Sequence, residues 1–462
     1  MSNKRKSHTN AYYVGNSYGK SPKRGRHASV SKREFSKDSP LDKKVVSIPR
    51  SNGDLVLTRR TFLYGALGAG VLAGAGVAAK HFSDEKAAET TIETLSVPTT
   101  AVTESTSLAE QEFSNQLILS AELSLPYGTL IWSNSDNCAA LLIPTSTGSP
   151  LTQVGYLNLE SGYWYTVLTQ AVGLSEGFEI YDVRASSAGL IWTEVDILEG
   201  IWRIYLAKLT DGNLDTPSII DTGDADWETP SIAICGNRAF WQVMPKTTGT
   251  KTSESSQIKT CTIGNTAPSV VLESKRRMAT ALYALDQAIV ATPRADSSSV
   301  YYQLTLINAT TLEIDDSVTL PQSMKPLEAG YGNCGFTFSF EGIYSYGDGI
   351  SNLGTYTPSS TVLNSDYDNA RWFHFSRTPS APPCWCGNYF VVKSTKSVVC
   401  CDLSDNTYFY FSVASGAADY GDYLGSTGCR KRIVTFTSVN DTPINGSATT
   451  YTQARIWSTY DA

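Results

Sequence analysis

Three short stretches carry the residue types that sugar chemistry needs. Asp224-Ala225-Asp226-Trp227-Glu228 is one, Asp366-Tyr367-Asp368-Asn369-Ala370-Arg371-Trp372 is another, and Asp419-Tyr420-Gly421-Asp422-Tyr423 is a third. Carboxylates accept hydrogen bonds from sugar hydroxyls, and flat aromatic rings stack on pyranose faces. Two carboxyl groups held about 5–10 Å apart also run glycoside hydrolysis, one as acid and the other as nucleophile or base. The candidate ligand-binding residues are therefore Asp224, Asp226, Trp227, Glu228, Asp366, Asp368, Trp372 and Asp422. Asp226 and Asp368 are the pair an enzyme would use, and no residue is assigned as catalytic outright. The plainer account is Asp and Gly in tight turns, with Trp packed between sheets. A calcium loop at Asp224, Asp226 and Glu228 lacks the required ligand spacing.

Cysteine and histidine narrow the chemistry further. All nine cysteines follow residue 137: Cys138, Cys235, Cys261, Cys334, Cys384, Cys386, Cys400, Cys401 and Cys429. An odd count leaves at least one thiol unpaired in a monomer. Cys384-Trp385-Cys386 and Cys400-Cys401 suggest zinc, but adjacent strand residues point to opposite faces, so Cys400 and Cys401 cannot serve one site. A hairpin turning at Ser394-Thr395 sets Cys400 opposite Tyr389 and Cys401 opposite Asn388. Buried thiols are the expected state, with a disulfide to Cys429 as the alternative. Beyond residue 81 the chain has one histidine, His374, inside the aromatic run Trp372-Phe373-His374-Phe375. That pattern suits a strand-face histidine better than a general base. There is no Gly-rich phosphate loop, nucleophile elbow or HExxH stretch. No metal and no cofactor are expected.

The elements that would hold the acidic loops recur along the chain. A short apolar-aromatic strand begins at Gly128, Gly189, Arg238, Ala288, Gly335, Tyr389 and Arg432, in steps of 61, 49, 50, 47, 54 and 43 residues. A second strand follows each marker, as in Trp202-Arg203-Ile204-Tyr205-Leu206, and a Gly, Asp or Asn turn leads to a third. An entry strand such as Ser231-Ile232-Ala233-Ile234 precedes each marker. Four short antiparallel strands per unit of about 40–50 residues is the arithmetic of a β-propeller blade. The stretches Glu228-Thr229-Pro230-Ser231-Ile232-Ala233 and Gly236-Asn237-Arg238-Ala239-Phe240-Trp241 resemble repeats of the TolB-like and WD40-like propellers. The resemblance covers about two units and implies a fold, not an activity. The expected class is all-β, a propeller over 113–462 of seven blades, with six or eight as alternatives. A sandwich pair or solenoid is the competing architecture. Residues 116–121 are the expected strand to lock the last blade, since an open ring leaves bare strand edges.

The first 112 residues read differently. Residues 1–60 hold fifteen Lys and Arg against four Asp and Glu, a balance of +11. The whole chain is −7, so the remainder carries −18. Thr58-Arg59-Arg60-Thr61-Phe62-Leu63 stands before an uncharged run, Thr61 to Ala79, with five Gly and six Ala. This segment resembles a twin-arginine export signal through Arg59, Arg60, Phe62 and Leu63, and departs from it at Tyr64, where Lys is usual. The resemblance implies the twin-arginine translocase as a partner and an extracytoplasmic body. A basic head and an acidic body agree with that orientation. Nineteen helical residues span about 28 Å, near the hydrocarbon thickness, so the segment either anchors the chain N-terminus inside or is cleaved near Ala79. Residues 1–58 form the expected disordered basic arm, with nucleic-acid binding disfavoured. The Ser/Thr-rich stretch 80–112 is the expected flexible linker.

Two functions follow. The first is an exported cell-envelope propeller acting as a binding or scaffold module for glycan, peptide or protein. The second is an exported glycoside hydrolase or lyase using rim carboxylates. Carboxylates converging in a central funnel would mark the enzyme. Scattered acids over a filled channel would mark the binder.

Overall fold

Strands alternate with tight turns along nearly the whole body, and the reason is local. Runs such as Gly189–Asp196 and Arg238–Val243 are rich in β-branched and aromatic residues, and almost every side chain in them is buried. Thr210-Asp211-Gly212-Asn213 is a two-residue hairpin turn, with φ of 50° at Asp211 and 80° at Gly212, the left-handed pair that such a turn needs. The computed structural model describes residues 107–340 and 381–462 apart from 148, 323, 334, 395, 419 and 442–448. It also describes short segments at 44–48, 55–58, 92–95, 102–104, 345–346, 350–351, 354–358 and 372–374. Two units are resolved, Met1–Thr90 and Thr91–Ala462. In the first, Lys44–Ile48 pairs antiparallel with Leu55–Thr58. The signal-like run 59–79 lies outside the described residues.

The second unit is all-β. Among the described residues seven main sheets follow one another, each built on a run of antiparallel strands, with parallel edge pairings added in the fifth and sixth. The first holds Leu130–Trp132, Cys138–Pro144, Thr152–Asn158 and Trp164–Leu168. The second to sixth open on Glu179–Ser186, Ser231–Cys235, Tyr283–Ala284, Pro326–Gly332 and Cys384–Cys386. The seventh orders Tyr423–Leu424, Arg432–Asp441, Thr449–Ser458 and Ile118–Leu125. Its outer strand thus comes from the start of the body, as expected for residues 116–121, and extends to Leu125.

Six of the recurrent markers are the second strand of their sheet. The first is not: Leu130–Trp132 is an opening strand, and the equivalent second strand is Cys138–Pro144. That explains the long first step of 61 residues.

Neighbouring sheets pack face to face. Trp192 and Tyr205 of the second sheet share a core with Cys138, Ala140 and Tyr156 of the first. Trp241 of the third meets Ile191 and Ile204 of the second. Phe240 meets Ile289 and Ile307 of the fourth, and Leu304 meets Phe336 and Phe338 of the fifth. Between fifth and sixth, Gly332 faces the Trp385 ring so closely that a Cβ would sit 1.8 Å from it. The sixth and seventh share Phe409, Ile433 and Trp457. The seventh and first share Val434, Ala454, Leu141 and Leu157. Each buried Trp or Phe contributes on the order of 2–3 kcal/mol by leaving water.

Within the stretch 80–112, expected as a flexible linker, the described residues pack against the body. Leu95 is buried in the core of the fourth and fifth sheets, and its N–H bonds Thr319 O at 2.7 Å. Val102–Glu104 pairs parallel with Trp372–His374, and Ala109–Glu110 pairs parallel with Thr407–Tyr410. Leu108 is buried beside Trp385, and the Phe113 ring packs on Phe409, Phe411 and Trp457. The segment is strapped to the outer edges of three successive sheets before it becomes the outer strand of the seventh.

Candidate functional site

The acidic loop 224–228 connects the last strand of the second sheet to the opening strand of the third. Its shape comes from its own polar groups. Asp224 Oδ1 accepts from the Asp226 N–H at 3.0 Å, and Asp224 O accepts from the Trp227 N–H at 3.1 Å. The loop then pairs with the long hairpin after Arg238–Val243: Lys246 N–H donates to Asp226 O, and Glu228 N–H to Met244 O.

Every carboxylate of this loop already has a partner. Lys251 Nζ donates to Asp224 Oδ2 at 2.9 Å. Thr250 Oγ1 donates to Asp226 Oδ2 at 2.6 Å. Arg277 Nη1 donates to Glu228 Oε1 at 2.8 Å. The Lys251 ammonium holds the Asp224 carboxyl below its usual range. Lys251 also lies 5.1 Å from the centre of the Trp227 ring, a cation–π contact on the one flat face the loop offers.

The other sequence candidates separate from this loop. Asp422 is fully buried and ion-paired with Arg455, inside the seventh sheet. Burial raises its carboxyl while Arg455 opposes the shift. Lys393, also buried, faces this pair, and burial pulls its ammonium down to about 8. Asp422 is thus an internal structural charge, not a rim acceptor: the sequence pattern could not distinguish the two because both sit in a Gly/Asp/Tyr turn. Asp366 and Asp368 lie outside the described residues. Trp372 and His374 are in a strand whose side chains are not described, so their part in a site is an expectation only.

Of the eight described cysteines seven are buried, as expected, and Cys429 is partly exposed; the register of the Cys400–Cys401 strand is corrected. Cys400 lies opposite Val391 and Cys401 opposite Phe390, because Lys393 pairs with Val398 and the hairpin turns over residues 394–397. The faces separate as the alternation requires. Cys384, Cys386 and Cys400 enter the core shared with the seventh sheet, whereas Cys401 packs with Trp385 and Phe390. The eight described cysteines are free thiols, and burial pushes Cys386 and Cys401 up to about 12. Among the described residues no group of three or more His, Cys, Asp or Glu could hold a metal ion. No described helix is long and apolar enough to cross a membrane.

Two devices were not read from the sequence. One is the segment 425–430, which runs between Tyr423–Leu424 and Arg432–Asp441 of the seventh sheet and reaches the first, fourth and sixth sheets. Ser133 N–H donates to Gly425 O at 2.7 Å, and Thr427 N–H to Ser133 O at 2.9 Å. Thr427 Oγ1 donates to Ala284 O, and Gly428 N–H to the Tyr283 hydroxyl. Gly428–Arg430 pairs parallel with Cys384–Cys386, and Arg430, itself buried, bonds Asp286 at 2.6 Å. Asn134 adds a link from the first sheet to Ile234 O and Leu285 O. These contacts join first, third, fourth, sixth and seventh sheets where their opening strands end. The second device is a buried polar residue on second strands. Glu194 accepts from the Val172 and Gly173 N–H groups, Thr292 from Thr280, and Thr437 donates to Gly421 O. Each fixes the connection entering its own sheet. A polar residue ending an apolar run, as in Leu190-Ile191-Trp192-Thr193-Glu194, was the available signal.

No family model matches the sequence, and no curated protein matches it. Solved structures give low-identity likenesses. A post-proline cleaving enzyme from Rickettsia typhi is similar at 7% identity and TM-score 0.47, over 71% of this chain and 52% of that one. A prolyl endopeptidase is similar at 12% identity and TM-score 0.45, over 73% and 47%. The β-propeller domain of the trilobed protease from Pyrococcus furiosus is similar at 9% identity and TM-score 0.43, over 71% and 94%. The chain spans about half the length of the two peptidases. Their peptidase chemistry belongs to those proteins.

Proposed function

We propose that this chain is an exported cell-envelope binding module whose body is a closed ring of seven blades. The supporting observation is the occupation of its acids. Asp224, Asp226 and Glu228 are tied to Lys251, Thr250 and Arg277, and Asp422 to Arg455. Carboxylates bonded to the protein's own donors favour a rigid binding rim over an acid–base pair. The segment 425–430, drawn across opening strands of other sheets, agrees with a filled channel rather than an open catalytic funnel. The ladder between Thr449–Ser458 and Ile118–Leu125, and the core shared by the first and seventh sheets, support closure. Export rests on Arg59, Arg60, Phe62 and Leu63. The envelope is then the compartment of its glycan, peptide or protein ligand.

The test is retention against turnover. The full-length chain is incubated with soluble and insoluble polysaccharides and with envelope protein extract, and both retained protein and released reducing ends are followed. Retention without release is expected. Time-dependent release that Asp226→Asn abolishes would instead establish the hydrolase or lyase reading.

A further inference from the structure

A groove of about 610 Å³ lies between the first and seventh sheets. Its floor and walls come from Tyr127, Pro144, Ser146, Thr147, Gln153 and Thr450, with neighbours from the same turns. The volume falls within the range of about 300–1,000 Å³ typical of small-ligand sites. Among the described residues, none that lines it carries a charge at neutral pH. That sets it apart from the acidic loop 224–228, whose carboxylates are bonded to Lys251, Thr250 and Arg277.

The walls are fixed in advance. Thr145 N–H donates to Leu151 O at 3.0 Å, and Thr145 Oγ1 donates to Thr147 O at 3.0 Å and to Pro150 O. Leu151 N–H is held by Glu179 Oε2 at 3.0 Å, which turns that carboxylate toward the backbone. On the other side Thr129 Oγ1 donates to Pro126 O, and Gly128 N–H to Thr452 Oγ1. Gly128, at φ 84°, would set a Cβ 3.3 Å from Pro144, so glycine brings the Tyr127 turn against that wall. A pre-formed wall reduces the ordering cost of binding.

The remaining polar groups are uncommitted. Among the described residues, the Tyr127 hydroxyl and the side chains of Ser146, Gln153 and Thr450 make no intramolecular hydrogen bond, and Tyr127 is 50% exposed. They offer hydroxyls and an amide that both donate and accept, beside one flat ring and rigid proline surfaces. Neutral sugars present the same mixture: alternating hydroxyls on an apolar face. An anionic ligand would require a cation here, and the groove has none. Polyproline peptides dock in grooves built from several aromatic rings, and here there is one.

We infer that this groove binds a neutral glycan, with Tyr127 stacking on a pyranose and Gln153, Ser146 and Thr450 bonding its hydroxyls. The inference rests on the binding-module reading and narrows it to one ligand class and one place. It is tested by calorimetric titration of the full-length chain with cellotetraose, maltotetraose and laminaritetraose, and with a proline-rich decapeptide as the rival class. Saturable binding of at least one tetrasaccharide is expected, unchanged between low and high salt. Tyr127→Ala weakens it about tenfold or more, the loss expected for an aromatic contact plus a hydrogen bond, whereas Tyr127→Phe retains part of the affinity. Gln153→Ala weakens it less, and Asp224→Asn leaves it unchanged. Sugar binding indifferent to Tyr127→Ala overturns the groove but keeps the module. Binding of the decapeptide alone overturns the ligand class and likewise keeps the module. If no tetrasaccharide, peptide, polysaccharide or extract component is retained, both readings fail.

Discussion

Ile456, near the end of the chain, lies opposite Ala121, near the start of the body, across an antiparallel ladder. Ile456 is fully buried in the core shared by the seventh and first sheets, and Ala121 packs against it. The two ends of the body therefore hold each other directly. Truncating Ile456 to Ala should cost about 2–4 kcal/mol, the usual loss for a buried aliphatic side chain, because neighbours on both sheets lose contact. Equilibrium denaturation should still show one transition at a lower midpoint. Two separated transitions would mean that the seventh and first sheets do not share one cooperative core.

The strap segments 92–95, 102–104 and 107–113 give a second expectation. Leu95 and Leu108 are buried although the sequence around them is rich in Thr, Ser and Glu. Leu95→Ala and Leu108→Ala should each destabilise by about 2–3 kcal/mol. Exposed substitutions in the same segment, such as Glu112→Gln, should change stability by less than about 0.5 kcal/mol. Amide exchange should also speed up at the outer strands Ile314–Thr319 and Thr407–Tyr410, whose edges the strap covers. Equal denaturation midpoints for Leu95→Ala and the parent would reduce the strap to a loose contact.

What the sequence disclosed follows from which signals are periodic. The second strands at Gly189, Arg238, Ala288, Gly335, Tyr389 and Arg432 stand out because burial on both faces makes them near-continuous apolar runs. The first sheet broke the rhythm because its opening strand carries Trp132 and fits the marker pattern ahead of the second strand, which begins Cys138-Ala139-Ala140-Leu141. The Cys400 and Cys401 register shifted because one turn residue more or less moves every cross-strand partner. The strap was invisible because its pairings are only two or three residues long and leave no alternation to detect. Asp422 misled because a buried ion pair and a rim acid look alike until Arg455, 33 residues away, is brought to it.

Glu328 makes the pH dependence testable. It sits on the opening strand Pro326–Gly332, opposite Ser339, and burial pushes its carboxyl from 4.5 up to about 7. A carboxyl whose folded value exceeds its unfolded one favours the folded state when protonated. That contribution is present at low pH and is lost as pH rises from about 4.5 to about 7. Glu328→Gln removes the penalty of the ionised form. The variant should exceed the parent by about 1–3 kcal/mol at pH 8, with the gap closing near pH 4. Denaturant midpoints across this range check it, and parallel curves for the two proteins would contradict the assignment.

The proposed location depends on two adjacent guanidinium groups. Arg59 and Arg60 precede an uncharged run too poor in leucine to be strongly apolar, and a +11 segment precedes the −18 remainder. Replacing both arginines by lysine keeps that charge and removes the planar, multi-donor fork. If recognition reads the fork, a folded reporter fused after Ala79 is exported with Arg59 and Arg60 and retained with the lysine pair. If charge alone sufficed, the two fusions would be exported equally. Fractionation of cells expressing each fusion distinguishes these outcomes. A reporter left in the cytosol with both arginines intact would remove the envelope setting from the proposed function, while the neutral groove at Tyr127 would remain to be judged by its own titration.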